Sequence, residues 1–389
     1  MKKTLIAMAA LAAAGTVAAQ SSVTMYGKVN TGAQYFKQTE TDGAGGKTTK
    51  KTISFKNNPA GGGTSRLGFK GSEALGNGLS ATFQLEMGFC GATGKFGTVA
   101  DGSTGFSREA TVGLAGAFGS VRLGYAGTPM NNFDGSYKPV DATNAHDGHA
   151  VTLATDPSDP TKKYTQDADY TGRPTGIFYK GTFSNVTVEA ALGQNSTSDK
   201  KGTDAAQKTT TSTYGLGLSY ASGPLAVGAA VQLDNSKATG QSALWKDGKY
   251  IGNYDNSVTS YGVGASYDFT AAKLYAQYKG GKLKAKNHNV APGVTGNGNY
   301  RYDQAAIGIS VPFGATTLGA EYAYNKSKST IDSKVENAKG NVFAVRAQYQ
   351  LSKRSSLYAR AAQQGHWKDK HSSASKKTQT FGVGLMHNF

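Results

Sequence analysis

The 389-residue chain contains 52 Gly, 21 Tyr, 16 Phe and a single Cys, and 42 Lys and Arg against 25 Asp and Glu give it a formal charge of +17. A mean hydropathy of −0.43 excludes a bundle of membrane helices, each of which needs about 20 consecutive apolar residues. One Cys cannot form an intramolecular disulfide, and Lys and Arg scattered without a basic helix or base-stacking motif argue against a nucleic-acid partner.

At the N-terminus, Lys2 and Lys3 precede an apolar run over residues 5–19 that ends in Ala18 and Ala19. A charged start, a short apolar stretch and a small-residue exit predict an export signal over 1–19, cut before Gln20. Removing Lys2 and Lys3 from the 42 basic residues leaves 40 against 25 acidic, a formal +15 for residues 20–389. Such an excess favours anions. Strand periodicity begins directly afterwards: Val23, Met25, Gly27 and Val29 share one parity, with Thr24, Tyr26, Lys28 and Asn30 on the other. The pattern returns at Leu79–Phe89, Val186–Leu192, Leu225–Val231 and Phe381–Leu385. Segments of this kind start near 22, 64, 78, 105, 120, 172, 184, 213, 224, 258, 271, 302, 315, 341, 355 and 379, which makes sixteen strands and no amphipathic helix.

Gaps after even-numbered strands are tight, as at Gly76-Asn77-Gly78, Gly223-Pro224 and Ser352-Lys353-Arg354, whereas the others are long and polar. This alternation predicts an all-β, sixteen-stranded antiparallel transmembrane barrel over 20–389, with short periplasmic turns and long external loops. Closure follows because the bilayer offers no water to a free sheet edge, and at sixteen strands the interior is too wide for side chains to fill. Tyr220, Tyr267 and Tyr322 lie on the apolar parity, where an aromatic girdle belongs.

With the apolar parity toward lipid, Val23, Leu85, Val227 and Leu385 face outward. The inward set is Lys28, Arg66, Lys70, Arg122, Lys180, Lys273, Lys279, Arg346 and Arg360, opposed by Glu86, Glu109, Glu189 and Glu321. Lys180 and Lys279 read equally well as rim charges. For the four Arg, a lipid-facing position would cost roughly 2–4 kcal/mol at the midplane, so water is favoured. The connection over 127–171 holds seven Asp, among them Asp134, Asp141 and Asp147, against three Lys, a net −4. Folded inward, it would narrow the lumen and set an acidic segment across from the Arg row; otherwise it covers the mouth from outside.

Enzyme chemistry finds little support. His146, Asp147 and His149 lie in that loop without the helical spacing that gathers metal ligands. There is no Gly-x-Ser-x-Gly elbow, and Gly94-Lys95-Phe96 lacks the hydroxyl residue of a phosphate-binding loop. Cys90 reads as a small hydrophobe, and no metal or cofactor is expected.

Four segments together carry a resemblance: Ser22-Val23-Thr24-Met25-Tyr26-Gly27, Arg66-Leu67-Gly68-Phe69-Lys70-Gly71-Ser72-Glu73, Tyr349-Gln350-Leu351-Ser352-Lys353-Arg354 with Leu357-Tyr358-Ala359, and Gly384-Leu385-Met386-His387-Asn388-Phe389. Over essentially its whole length the chain resembles the general porins of Gram-negative outer membranes, in the version found in Neisseria and Burkholderia relatives. The resemblance implies a homotrimer among outer-membrane lipids, a third loop folded into each lumen, passive diffusion of small hydrophilic solutes, and Phe389 as part of the signal read by the barrel-assembly machinery. One departure is Leu123-Gly124-Tyr125-Ala126, where the family often reads Leu-Gly-Arg-Gln: a constriction Arg is absent at Tyr125, and Arg122 is the candidate to replace it. The leading expectation is an anion-preferring diffusion channel. A substrate-selective channel using the Arg row with Tyr137 and Phe133, a surface adhesin or structural barrel, and a barrel enzyme are the alternatives.

Overall fold

The computed structural model of the chain describes residues 22–42, 44–59, 61, 63–96, 105–140, 150–156, 159–167, 172–199, 207–239, 244–246, 249–251, 253–288, 297–331, 334–365 and 375–389. The export segment expected over 1–19 lies outside them. In chain order the elements are β1 (Ser22–Thr41), β2 (Lys47–Asn57), β3 (Arg66–Gly76), β4 (Leu79–Gly88), β5 (Glu109–Gly116), β6 (Gly119–Tyr125), the helix α1 (Pro129–Asp134), β7 (Ala150–Asp156) and β8 (Asp159–Asp167). There follow β9 (Thr175–Phe183), β10 (Val186–Asp199), β11 (Gln207–Ser222), β12 (Leu225–Thr239), β13 (Leu244–Lys246), β14 (Lys249–Ile251), β15 (Asn253–Asp268) and β16 (Lys273–His288). The last are β17 (Asn297–Phe313), β18 (Thr316–Ile331), β19 (Lys334–Gln350), β20 (Ser355–Gln364) and β21 (Ser375–Asn388).

Sixteen of these strands are staves of one closed antiparallel barrel, the exceptions being β2 and the loop hairpins β7–β8 and β13–β14. Closure occurs at β1, which pairs with β3 on one side and β21 on the other. Phe389 completes the seam: Gly27 N donates to its carbonyl at 2.9 Å and its N donates to Gly27 O at 3.1 Å. Asn77-Gly78 closes the β3–β4 hairpin with φ of 51° and 75°, the paired left-handed conformation of a two-residue turn.

The strand beyond the expected sixteen is β2, which pairs with the upper half of β1 from Thr31↔Asn57 to Thr41↔Lys47. It carries Lys47, Lys50, Lys51 and Lys56 on both parities, and only Ile53 and Phe55, exposed on the outer face, alternate as apolar residues, too few to mark a strand. Several staves also begin earlier than expected, β11 at Gln207 and β19 at Lys334. Their first residues, Gln-Lys-Thr-Thr-Thr-Ser in β11 and Lys-Val-Glu-Asn-Ala-Lys in β19, are mostly polar on both faces, as suits strand ends outside the hydrocarbon layer.

The outer surface carries the apolar parity. Val23 and Leu385 are 69% and 46% exposed, and the half-buried Leu85 and Val227 share that face through register with Phe69 and Tyr220. Tyr220 and Tyr267 stand beside the short turns with Phe183, Phe269, Phe313 and Tyr349, all exposed; Tyr322 shares the face but sits farther along its stave. Buried apolar clusters form where the third loop meets the wall: Met130, Phe133 and Tyr137 with Ala230, and Val140 with Ala306, Ala323, Val342 and Ala344.

Candidate functional site

Residues 126–140 of the third loop run inside the barrel. Thr128 caps α1 by accepting from Asn131 N, and Pro129 starts it. The chain can lie flat here because the facing wall presents glycine at successive inward positions. A Cβ on Gly217 would fall 2.9 Å from Pro129, on Gly308 2.6 Å from Pro139 and on Gly319 2.9 Å from Val140. Phe133 likewise fills the space over Gly262, and Tyr137 that over Gly228 and Gly264.

Polar contacts fasten the same segment. Asp134 Oδ1 accepts from Lys279 Nζ at 2.7 Å and Oδ2 from Lys138 Nζ at 3.1 Å. Asn132 Nδ2 donates to Glu189 Oε1 at 3.1 Å, and Val140 N donates to the buried Glu321 Oε2 at 3.2 Å. Burial alone would raise the pKa of Asp134, but the two ammonium groups outweigh it and hold the carboxyl well below the usual range. Asp134 therefore spends its charge on the wall behind it instead of opposing the Arg row. Asp141 and Asp147, like His146 and His149, lie outside the described residues.

The basic side lies across the lumen, on the staves from β19 through β1 to β6. Lys28 is in register with Arg66, and Arg346 with Arg360; Lys28 is also within electrostatic reach of Arg346 and Arg108. Glu86 and Glu109 face each other across β4–β5. Glu86 accepts from Arg108 Nε at 2.5 Å, with Arg66 Nε at 3.8 Å, and Glu109 accepts from Arg122. Lys70 stands 5.4 Å from the Tyr26 ring centre and Lys273 5.5 Å from that of Tyr275. Lys180 pairs with Glu189 at 3.1 Å, so it and Lys279 belong to the loop side.

Two cations outside the inward set join this wall, for β5 and β9 begin at Glu109 and Thr175, after the expected starts near 105 and 172, and leave Arg108 and Arg173 ahead of the strands. Arg108 joins Glu86 to Thr64, reaching Thr64 Oγ1 at 3.3 Å. Arg173, at the far end of the third loop, has Arg108, Tyr125, Glu86 and Glu109 as its charged or ionisable neighbours; burial and then Arg108 push its guanidinium pKa down. Arg122 is tied to Glu109, so Arg173 is the cation that accompanies Tyr125. The signal for Arg108 was its place beside Glu109, whose register partner is Glu86.

A family model described as Gram-negative porin matches residues 4–388. An outer membrane porin protein of Bordetella pertussis is 30% identical over 416 aligned residues covering 100% of both chains. Outer membrane porin protein 32 of Delftia acidovorans is 30% identical over 93% of this chain and 89% of its own. In fold, the chain is similar to an anion-selective porin from Comamonas acidovorans, with a TM-score of 0.61 at 23% identity over 95% of this chain and 100% of that one. It is also similar to the trimer form of OmpT of Vibrio cholerae, with a TM-score of 0.57 at 16% identity over 95% and 99%.

Proposed function

Because the chain belongs to the Gram-negative porin family and resides in the outer membrane, we propose that its channel passes small hydrophilic solutes passively and prefers anions. The observation that carries this reading is the asymmetry of the lumen. One wall gathers Lys28, Arg66, Arg108, Arg346 and Arg360, while Asp134, the acid of the loop's inward segment 126–140, is consumed by Lys279 and Lys138. An anion passing between them meets an uneven balance of charge. Glu86 and Glu109 offset part of the wall, each already accepting a guanidinium. Reversal potentials in a salt gradient test this reading.

The same proposal takes residues 1–19 as a cleaved export signal, Phe389 as part of the assembly signal and a homotrimer as the working form. The seam hydrogen bonds of Phe389 and the trimeric neighbour of like fold support the last two. A substrate-selective channel is the second reading, favoured by a cavity of about 180 Å³ between α1 and the wall, lined by Asn132, Phe133, Ser136, Tyr137, Lys180 and Glu189. Saturation of ion current by one solute would support it.

A further inference from the structure

The register of β1 leaves a surplus of chain at one point. Its pairing with β2 ends at Thr31↔Asn57, and its pairing with β3 begins at Lys28↔Arg66. Two residues of β1 are therefore matched by residues 58–65 on the other side, and the excess must leave the sheet. It leaves inward, because it covers Asn30 and reaches Gln34, whose Nε2 donates to Pro59 O at 3.1 Å; both residues share the inward parity of Lys28.

The fold of this segment is over-determined. Asn58 turns the chain at φ 55°, and Gly61 and Gly63 follow at 82° and 91°. Asn30, 0% exposed, is the centre of the contacts. Its Nδ2 donates to Gly63 O at 2.8 Å and Asn58 Oδ1 at 3.0 Å, and its Oδ1 accepts from Tyr358 Oη on the far side of the seam. Its backbone N donates to Ser65 Oγ at 2.9 Å, and Ser65 Oγ donates to Asn57 Oδ1 at 2.7 Å. Asn57 Nδ2 in turn donates to Phe89 O at 3.1 Å. A buried polar group without partners is costly, so this network holds one arrangement of the backbone.

Its position gives the network a consequence. A Cβ at Gly63 would come 3.6 Å from Lys28 Nζ, and Thr64 accepts from Arg108. We propose that residues 57–59, 61 and 63–65 form a second constriction segment, lying on the basic wall across from the third loop, with Asn30 as its positioning residue. The third loop narrows the lumen from one side, and this segment narrows it from the other and holds Arg108 at the ion path. The inference rests on the channel reading above.

The test is single-channel recording of the full-length protein in planar bilayers, with Thr64→Cys in a Cys90→Ser background and a sulfonate-bearing methanethiosulfonate reagent. Stepwise loss of conductance and a shift of the reversal potential toward cations are expected, since an anion is added beside Arg108. Asn30→Ala should raise conductance in the Cys90→Ser background and, combined with Thr64→Cys, weaken the reagent's block; Tyr358→Phe, which removes a single hydrogen bond, should do the same to a smaller degree and covers the case in which Asn30→Ala does not fold. A purely structural role for Asn30 would lower the heat resistance of the barrel and leave conductance and reversal potential unmoved. An unchanged current after Thr64→Cys labelling, or wild-type conductance in both other variants, overturns the proposal. Wild-type protein that forms no channel overturns the channel reading itself, and this inference with it.

Discussion

Asp134 and Lys279, 145 residues apart in the chain, meet at 2.7 Å on the inner face of the barrel. The pair joins α1 to β16, and Lys138 completes it from the loop side at 3.1 Å. The Lys side chains are 3% and 4% exposed, so the carboxylate is what makes their burial tolerable. Breaking a buried pair by removing one partner costs about 3–5 kcal/mol, because a charge is left uncompensated. Asp134→Asn should therefore loosen the third loop, seen as larger and noisier single-channel conductance, and adding Lys279→Met should recover part of the loss.

The same pair sets a pH dependence. The folded pKa of Asp134 is depressed, so its contribution is fully present above the unfolded value of about 3.9 and is lost only as pH falls through the folded one. The conductance difference between wild type and Asp134→Asn should then hold steady from neutral pH to about 4 and shrink only in stronger acid. A step near neutrality would contradict the assignment.

The glycine wall beneath the loop gives an independent handle. A Cβ on Gly264 would meet the Tyr137 side chain at 2.5 Å, so Gly264→Leu forces the loop off the wall. Core overpacking costs about 1–3 kcal/mol, less than the barrel's own pairing supplies. Expected is a folded, heat-resistant barrel with raised conductance; wild-type conductance would mean that the loop does not limit flow.

Phe389 closes the seam through two hydrogen bonds with Gly27, and its ring covers the face of Gly27 where a side chain would stand. Deleting Phe389 should lower the outer-membrane level of the protein while leaving its export across the inner membrane intact, as fractionation would show. Gly27→Leu should reproduce part of the defect by displacing the ring, and normal levels in both variants would remove Phe389 from the assembly account.

Lipid contact forces alternate residues to be apolar, and so β4, β12 and β21 stand out from periodicity alone. The inward parity of Arg66, Arg122, Arg346 and Arg360 follows from the same count. What periodicity does not reach is chain that never meets lipid. The strand β2 offers only Ile53 and Phe55 to the outer face among its Lys and Thr, too short an alternation to stand out, and the inward turn after it reads from composition as an ordinary Gly-rich loop. Arg108 and Arg173 sit outside the spanning segments and enter the site only through tertiary folding. Nor does the −4 of the third loop reveal where each charge points, since Asp134 turns to the wall because Lys279 lies behind it.

The central claim is that the basic wall outweighs the acids along the ion path. A unit charge about 8 Å from the path contributes about 0.5 kcal/mol in a water-like medium, roughly twofold in local anion concentration, and screening at about 0.15 M salt removes much of it. Reversal potentials across a KCl gradient test this most directly. Wild-type channels should favour chloride, with the preference falling as Arg66, Arg108, Arg346 and Arg360 are made neutral in turn and fading at high salt. A wild-type channel that favours potassium would contradict the account.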